Sequence, residues 1–176
     1  IFMHVFTRIG AVSRSGMIRP MDRRADGLLI GEGAGAVLLK RLEDAIADGD
    51  HVYAIVKGAG SASDGRDVDV LAPSMQGQLR ALGQAYQDAN VDPASIGYLE
   101  LHGTGTVLGD LTELETVKQF FGRSKHPPTT RAMGTVKSII GHCMPASGMA
   151  AVIRTALALS NKVLPPSLHC EEPRPE

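Results

Sequence analysis

The chain is short of the residues that advertise a ready-made chemistry. Only two of its 176 residues are cysteine, Cys143 and Cys170, and their spacing fits neither a zinc site nor a disulfide framework. Sparse thiols point to a reducing, cytoplasmic setting. No apolar run approaches the roughly 18 residues of a spanning helix, so no membrane role is expected. The formal net charge is −1, which gives no electrostatic footprint for nucleic acid or an anionic surface. There is no GxSxG elbow and no HExxH helix, which removes the common serine-hydrolase and zinc-peptidase layouts. An initiator Met and a signal-peptide pattern are both missing at Ile1-Phe2-Met3, and the other end trails off as Glu171-Glu172-Pro173-Arg174-Pro175-Glu176. The chain reads as an excerpt of a longer one.

What is present is the pattern of a folded α/β protein. The apolar and charged shares, 43% and 21%, are those of an ordinary globular chain long enough to hold a core. Residues 11–26 are basic, polar and punctuated by Gly and Pro, hence a loop. Gly27–Lys40 is an apolar, strand-like stretch, Leu42–Ala47 a short helix, and Val52–Val56 a strand. Met75, Leu79, Leu82, Tyr86 and Ala89 recur at three- and four-residue steps and predict one apolar face of a helix. Strands are expected at Ile96–Leu101 and Ala132–Val136. Helices are expected at Leu111–Phe121 and around Met149, Val152, Ile153, Ala156 and Leu157, with Val163-Leu164 as a last extended piece. Alternation of this kind argues a sheet covered on both faces, with sites in the loops outside the strand ends.

Two such loops each carry a histidine beside glycine: His102-Gly103-Thr104-Gly105-Thr106 with Gly109-Asp110, and Lys137-Ser138-Ile139-Ile140-Gly141-His142 running into Ala146-Ser147-Gly148. The hydroxyls of Thr104 and Thr106 and the small residues between them fit either a polar turn or a loop that admits a thin, extended substrate. Asp110 is placed to cap the next helix. Lys137 sits in an otherwise apolar loop, and a buried lysine needs a carboxylate; Glu113 is the candidate, in a pair that would fix the orientation and tautomer of His142. Cys143 beside His142 invites a Cys–His dyad, but successive side chains diverge, and packing is the preferred reading; Cys170 fares no better. Gly31-Glu32-Gly33-Ala34-Gly35-Ala36 matches a dinucleotide fingerprint, yet Val37-Leu38-Leu39 continues an apolar run, which favours close strand packing over a phosphate loop. His4, His51, His126 and His169 read as solvated loop residues.

Taken together, these stretches resemble the β-ketoacyl synthases (ketosynthases) of polyketide and fatty-acid synthase type. The resemblance runs through Pro20–Lys40, Ala72-Pro73-Ser74 with Gly77-Gln78, Glu100–Thr106 with Asp110 and Glu113, Gly134–Ser138 with Gly141-His142, and Leu164-Pro165-Pro166-Ser167. It implies the thiolase-like fold, layered α/β/α/β/α, here incomplete: residues 1–51 the end of the first half, residues 52–176 a truncated second half. It implies an acyltransferase working by decarboxylative Claisen condensation. The substrates are an acyl thioester on a cysteine and a malonyl-type extender on an acyl carrier protein, in a homodimeric parent. No cofactor of its own is implied, since substrates ride on the carrier's phosphopantetheine. His102 and His142 would be the histidines that assist loss of carbon dioxide and stabilise the thioester oxyanion, with Lys137 and Glu113 a supporting ion pair. The family's nucleophilic Cys falls upstream of residue 1 and its gating loop beyond residue 176. The bottom-up chemistry agrees: two neutral imidazoles donating from Nε2 would stabilise an enolate oxygen. The competing expectations are a non-catalytic, chain-length-factor-like module of the same fold and, from Gly31–Ala36, a nucleotide-binding oxidoreductase.

Overall fold

The computed structural model describes residues 2–65, 72–122 and 131–175. In chain order the elements are α1 (Phe2–Arg8), α2 (Leu42–Ala47), α3 (Met75–Ala89), a 3-10 turn at Pro93–Ser95, β1 (Tyr98–Glu100), α4 (Val107–Phe121), β2 (Ala132–Gly134), α5 (Lys137–Ile140) and α6 (Ala146–Asn161). Strands β1 and β2 pair in parallel, Tyr98 opposite Ala132 and Glu100 opposite Gly134. Both site loops therefore leave the same end of this sheet, His102 after β1 and Lys137 after β2.

Helix α3 matches its predicted limits because both ends are chemically marked. Ser74 caps the start by accepting the Gly77 N–H, and Asn90 ends it in the left-handed region that Asn tolerates. Its apolar face packs on α4, where Tyr86 meets Phe120 and Phe121 at ring-centroid distances of 5.1 and 5.7 Å. The Arg131 guanidinium lies 4.3 Å from the Phe121 ring. Burying Phe121 contributes about 1.5–3 kcal/mol. A buried polar strut, Thr116 Oγ1 donating to Gln78 Oε1 at 2.7 Å, fixes the register of the two helices.

Three expectations are corrected. Helix α4 starts at Val107, four residues before the predicted Leu111, so the His102 loop is shorter than its sequence suggested. His4 is exposed as expected, but on α1 rather than in a loop; His126 lies outside the described residues. The stretches Gly27–Lys40 and Val52–Val56 join no ladder among the described residues; only Leu28 and Ile30 make isolated bridges, to Val12 and His142. Among the described residues the sheet is thus limited to β1 and β2, and the two unpaired stretches are open to solvent, with Leu38 93% exposed and Val56 70%. The segment after Val56 is nevertheless anchored. Gly58 and Gly60 lie against the α3 backbone at Ala81, Ala85 and Ala89, too close for a Cβ, and Asp88 and Gln84 accept the Ala59 and Ser61 N–H groups.

A second anchor holds the polar 19–27 loop beneath the site. Asp22, wholly buried, accepts the Arg24 side chain and the N–H groups of Glu171 and Glu172, so the end of the chain is clasped to this loop. The Arg24 bond, with those backbone donors, holds the Asp22 carboxyl well below the usual carboxylate range.

Candidate active site

The two histidines meet. The His102 and His142 rings lie 5.5 Å apart, centroid to centroid, at an interplanar angle of 84°. Two loops distant in sequence thus present their imidazoles to one small volume, as the paired motifs predict.

Each imidazole is positioned through its own backbone. For His102, Glu113 on α4 reaches back and accepts two consecutive N–H groups, His102 to Oε1 at 2.6 Å and Gly103 to Oε2 at 2.8 Å. From the other side the Lys137 ammonium donates to the His102 carbonyl at 2.6 Å. Lys137 is 3% exposed. Burial pushes its pKa down, while the Glu113 and Glu100 charges pull it back up. The expected Lys137–Glu113 ion pair is therefore corrected. The described residues hold no salt bridge between them, and both clamp the His102 loop rather than orienting His142. The physical reason is that α4 begins early enough to place Glu113 over two free loop amides, which satisfy a carboxylate as well as an ammonium does.

His142 is held differently. The Ile30 segment bridges its backbone, with the His142 N–H donating to the Leu29 carbonyl at 2.7 Å and its carbonyl accepting the Gly31 N–H at 3.1 Å. The ring Nδ1 accepts the Met144 N–H at 3.0 Å, and the Ser147 hydroxyl lies 3.1 Å from the same nitrogen. A backbone N–H can only donate, so Nδ1 is unprotonated and the ring proton sits on Nε2. Ser147 was not singled out from the sequence. The available signal was a hydroxyl five positions after His142, at the first turn of a predicted helix.

Both imidazoles are kept neutral. Desolvation first, then the Lys137 charge, lowers the pKa of His142. His102 is lowered by desolvation, Lys137 and the His142 ring, although it keeps an exposed surface and water tempers the shift. Neutral rings at neutral pH are what donation to a developing negative oxygen demands.

The remaining predicted residues serve the loop. Gly103 and Gly105 turn at φ of 41° and 74°, and the Thr104 and Thr106 hydroxyls bond each other at 2.9 Å. Asp110 is not a helix cap. It is wholly buried in the first turn of α4 and accepts the Gly105 N–H at 3.1 Å and the Met21 N–H at 2.8 Å, tying the His102 loop to the 19–27 loop. Cys143 turns away from its neighbour His142, its thiol against the Ile140 carbonyl at 3.7 Å. Cys170 is raised in pKa by burial and then by the Asp22 and Asp110 charges, so its thiol stays protonated. Gly31 fits the close-packing reading: a Cβ there would strike the Ile140 carbonyl and the Cys143 sulfur. Among the described residues no cluster of three or more His, Cys, Asp or Glu side chains could hold a metal ion, and no helix is long and apolar enough to cross a membrane.

The chain matches known proteins along nearly its whole length. Residues 53–171 match the model of the β-ketoacyl synthase C-terminal domain and residues 2–45 that of the N-terminal domain. The chain belongs to the β-ketoacyl synthase family. Among solved structures it superposes with a TM-score of 0.94 on a ketosynthase from module 6 of the bacillaene synthase of Bacillus subtilis 168, at 38% identity over 99% of this chain and 32% of that one. The PfaC keto synthase–chain length factor gives 0.90, at 40% identity over 96% of this chain and 18% of that one. One phenolphthiocerol/phthiocerol polyketide synthase from Mycobacterium bovis is 41% identical over 170 residues, 97% of this chain but 9% of that protein. The chain thus has the thiolase-like α/β fold of these neighbours, in part, and spans about a third of the bacillaene ketosynthase.

Proposed function

We propose that this chain is part of a ketosynthase, an acyltransferase that condenses an acyl thioester with a malonyl-type extender delivered by an acyl carrier protein. The observation that carries the reading is the convergence of two imidazoles, His102 and His142, with Nδ1 of His142 taken up as an acceptor so that its proton lies on Nε2. In the proposed reaction the carbon–carbon bond to the malonyl carboxylate breaks, carbon dioxide leaves, and the electron pair passes to the thioester oxygen as an enolate. His102 and His142 donate to that oxygen. The enolate carbon then attacks the acyl carbonyl, and a cysteine thiolate departs. Donors fixed in place before the charge develops are worth several kcal/mol in such a step. Lys137 and Glu113 hold the His102 loop, and Thr104, Thr106 and Asp110 shape it.

The rest of the reading follows the family. Residues 1–51 and 52–176 belong to the first and second halves of the ketosynthase, which works as a homodimer in the cytoplasm and needs no cofactor beyond the carrier's phosphopantetheine. Neither Cys143 nor Cys170 is set up as nucleophile, so the 176-residue chain alone is inactive. A second reading, a chain-length-factor-like partner, draws on the PfaC neighbour; the presence together of His102, Lys137 and His142 favours the enzyme. The test is to supply the full-length ketosynthase with an acyl thioester and malonyl-carrier protein and look for the β-ketoacyl product by mass spectrometry. Product supports the enzyme; none, with intact acyl-carrier binding, supports the non-catalytic partner. The isolated chain should take no label from the acyl thioester, and stoichiometric labelling of Cys143 would overturn its assignment as a packing residue.

A further inference from the structure

We infer that Ser147 is a positioning residue for His142, donating its hydroxyl proton to Nδ1 and so holding the imidazole neutral with its proton on Nε2. The inference rests on the reading of His142 as an oxyanion donor, but its geometry stands by itself. Ser147 is 3% exposed and occupies the first turn of α6. Its Oγ lies 3.1 Å from His142 Nδ1 and has no other hydrogen-bond partner among the described residues. A buried hydroxyl with one neighbour sends its proton there or wastes it.

The direction of that bond is set by Met144. This residue adopts a left-handed backbone, φ 52°, unusual for a side chain of its kind, and the turn swings its N–H onto the same Nδ1 at 3.0 Å. An N–H cannot accept, so a proton on Nδ1 would face a second proton. Nδ1 therefore accepts, and Ser147 is left to donate. The two donors differ in consequence. The Met144 donor is a backbone N–H that no substitution short of proline removes, whereas the Ser147 hydroxyl is a side-chain group that Ser147→Ala deletes. The other titratable groups around the ring are Lys137 on α5, His102 from the facing loop and the neighbouring Cys143 thiol. None of these three makes a hydrogen bond to Nδ1 among the described residues.

A donor to the unprotonated nitrogen favours the neutral ring, so its loss raises the pKa of His142. The experiment uses the full-length ketosynthase carrying this segment, with Ser147→Ala and Ser147→Thr. The readout is the pH dependence of carbethoxylation of His142 by diethyl pyrocarbonate, which reacts with neutral imidazole, located by peptide mass spectrometry. Ser147→Ala should move the His142 midpoint up by about half a pH unit, the size expected of one hydrogen bond to the neutral form. His102 should stay at its parent midpoint, and Ser147→Thr, which keeps the hydroxyl, should restore His142. An unmoved His142 midpoint in Ser147→Ala overturns the assignment. So does an equal shift of His102, which would signal general loosening, or a raised midpoint in both variants. Because this readout needs no turnover, it separates failure of the Ser147 role from failure of the ketosynthase reading, which the release of carbon dioxide tests on its own.

Discussion

Replacing Arg154 should be among the costliest single changes outside the histidines, because it breaks a buried strut that ends at the site. Glu100, the last residue of β1, accepts Arg154 Nη1 at 2.5 Å and the Tyr98 hydroxyl at 2.6 Å on Oε2, and the Val136 N–H at 2.5 Å on Oε1. Arg154 on α6 also donates to the Pro166 carbonyl. Both side chains of the pair are 9% exposed. An exposed ion pair of this kind would be worth at most about 1 kcal/mol; breaking a buried one costs about 3–5 kcal/mol because a charge is stranded. Here Glu100 would keep two donors, Tyr98 and Val136, so Arg154→Met is expected at the lower end, about 3 kcal/mol. Tyr98→Phe should cost only about 1 kcal/mol, the loss of a single hydrogen bond. Burial and the Glu100 charge hold the Tyr98 phenol above its ordinary pKa, so it remains a donor across the working range. Glu100→Gln with Arg154→Met should cost less than the two single changes summed. Urea unfolding of the full-length ketosynthase, read at constant slope, measures all four. Arg154→Met within about 0.5 kcal/mol of the parent would refute the argument, since surface pairs behave that way.

Two further outcomes follow from the clamp and the imidazoles. Lys137→Ala should cost about 1.5–3 kcal/mol, one charge-assisted hydrogen bond, rather than the larger penalty of a broken ion pair, because Glu113 keeps its two amide donors. A double-mutant cycle of Lys137→Ala with Glu113→Gln should show a coupling of about 0.5–1 kcal/mol carried by the shared His102 peptide, and a value above about 3 kcal/mol would restore the direct pair. Decarboxylation of malonyl-carrier protein should hold its rate as pH falls to the ordinary imidazole value of about 6.5 and decline only below it. The lowered pKa values keep both rings neutral until pH drops beneath the ordinary imidazole range. A decline centred at or above pH 6.5 would contradict neutral donors.

The readable part of this chain was the local chemistry, and the unreadable part was contact at a distance. Helix α3 could be placed because Met75, Leu79, Leu82, Tyr86 and Ala89 repeat at helical spacing, and the structure then shows Ser74 and Asn90 at its ends. The two His motifs could be paired because each stands beside a glycine just past a strand-like run, where α/β sheets gather sites. Asp110 misled because capping is a local inference, whereas its real donors include Met21, far away in sequence. Lys137 misled for a related reason. A sequence shows which side chains could pair but not that a backbone carbonyl, that of His102, takes the ammonium instead. Ser147 escaped because its role depends on the left-handed turn at Met144, which no side chain there announces. The apolar runs Gly27–Lys40 and Val52–Val56 predicted strands on composition, yet a strand needs a neighbour, and among the described residues none is paired with them beyond the two bridges at Leu28 and Ile30.

The central claim is that His102 and His142 together stabilise the enolate oxygen. The direct measurement is carbon dioxide release from malonyl-carrier protein by the full-length ketosynthase bearing His102→Ala or His142→Ala, with acylation of the nucleophilic cysteine followed in parallel. Each substitution should slow release by about 100-fold or more, as loss of an oxyanion donor does, while acylation suffers less. Release at the parent rate in both variants would contradict the account.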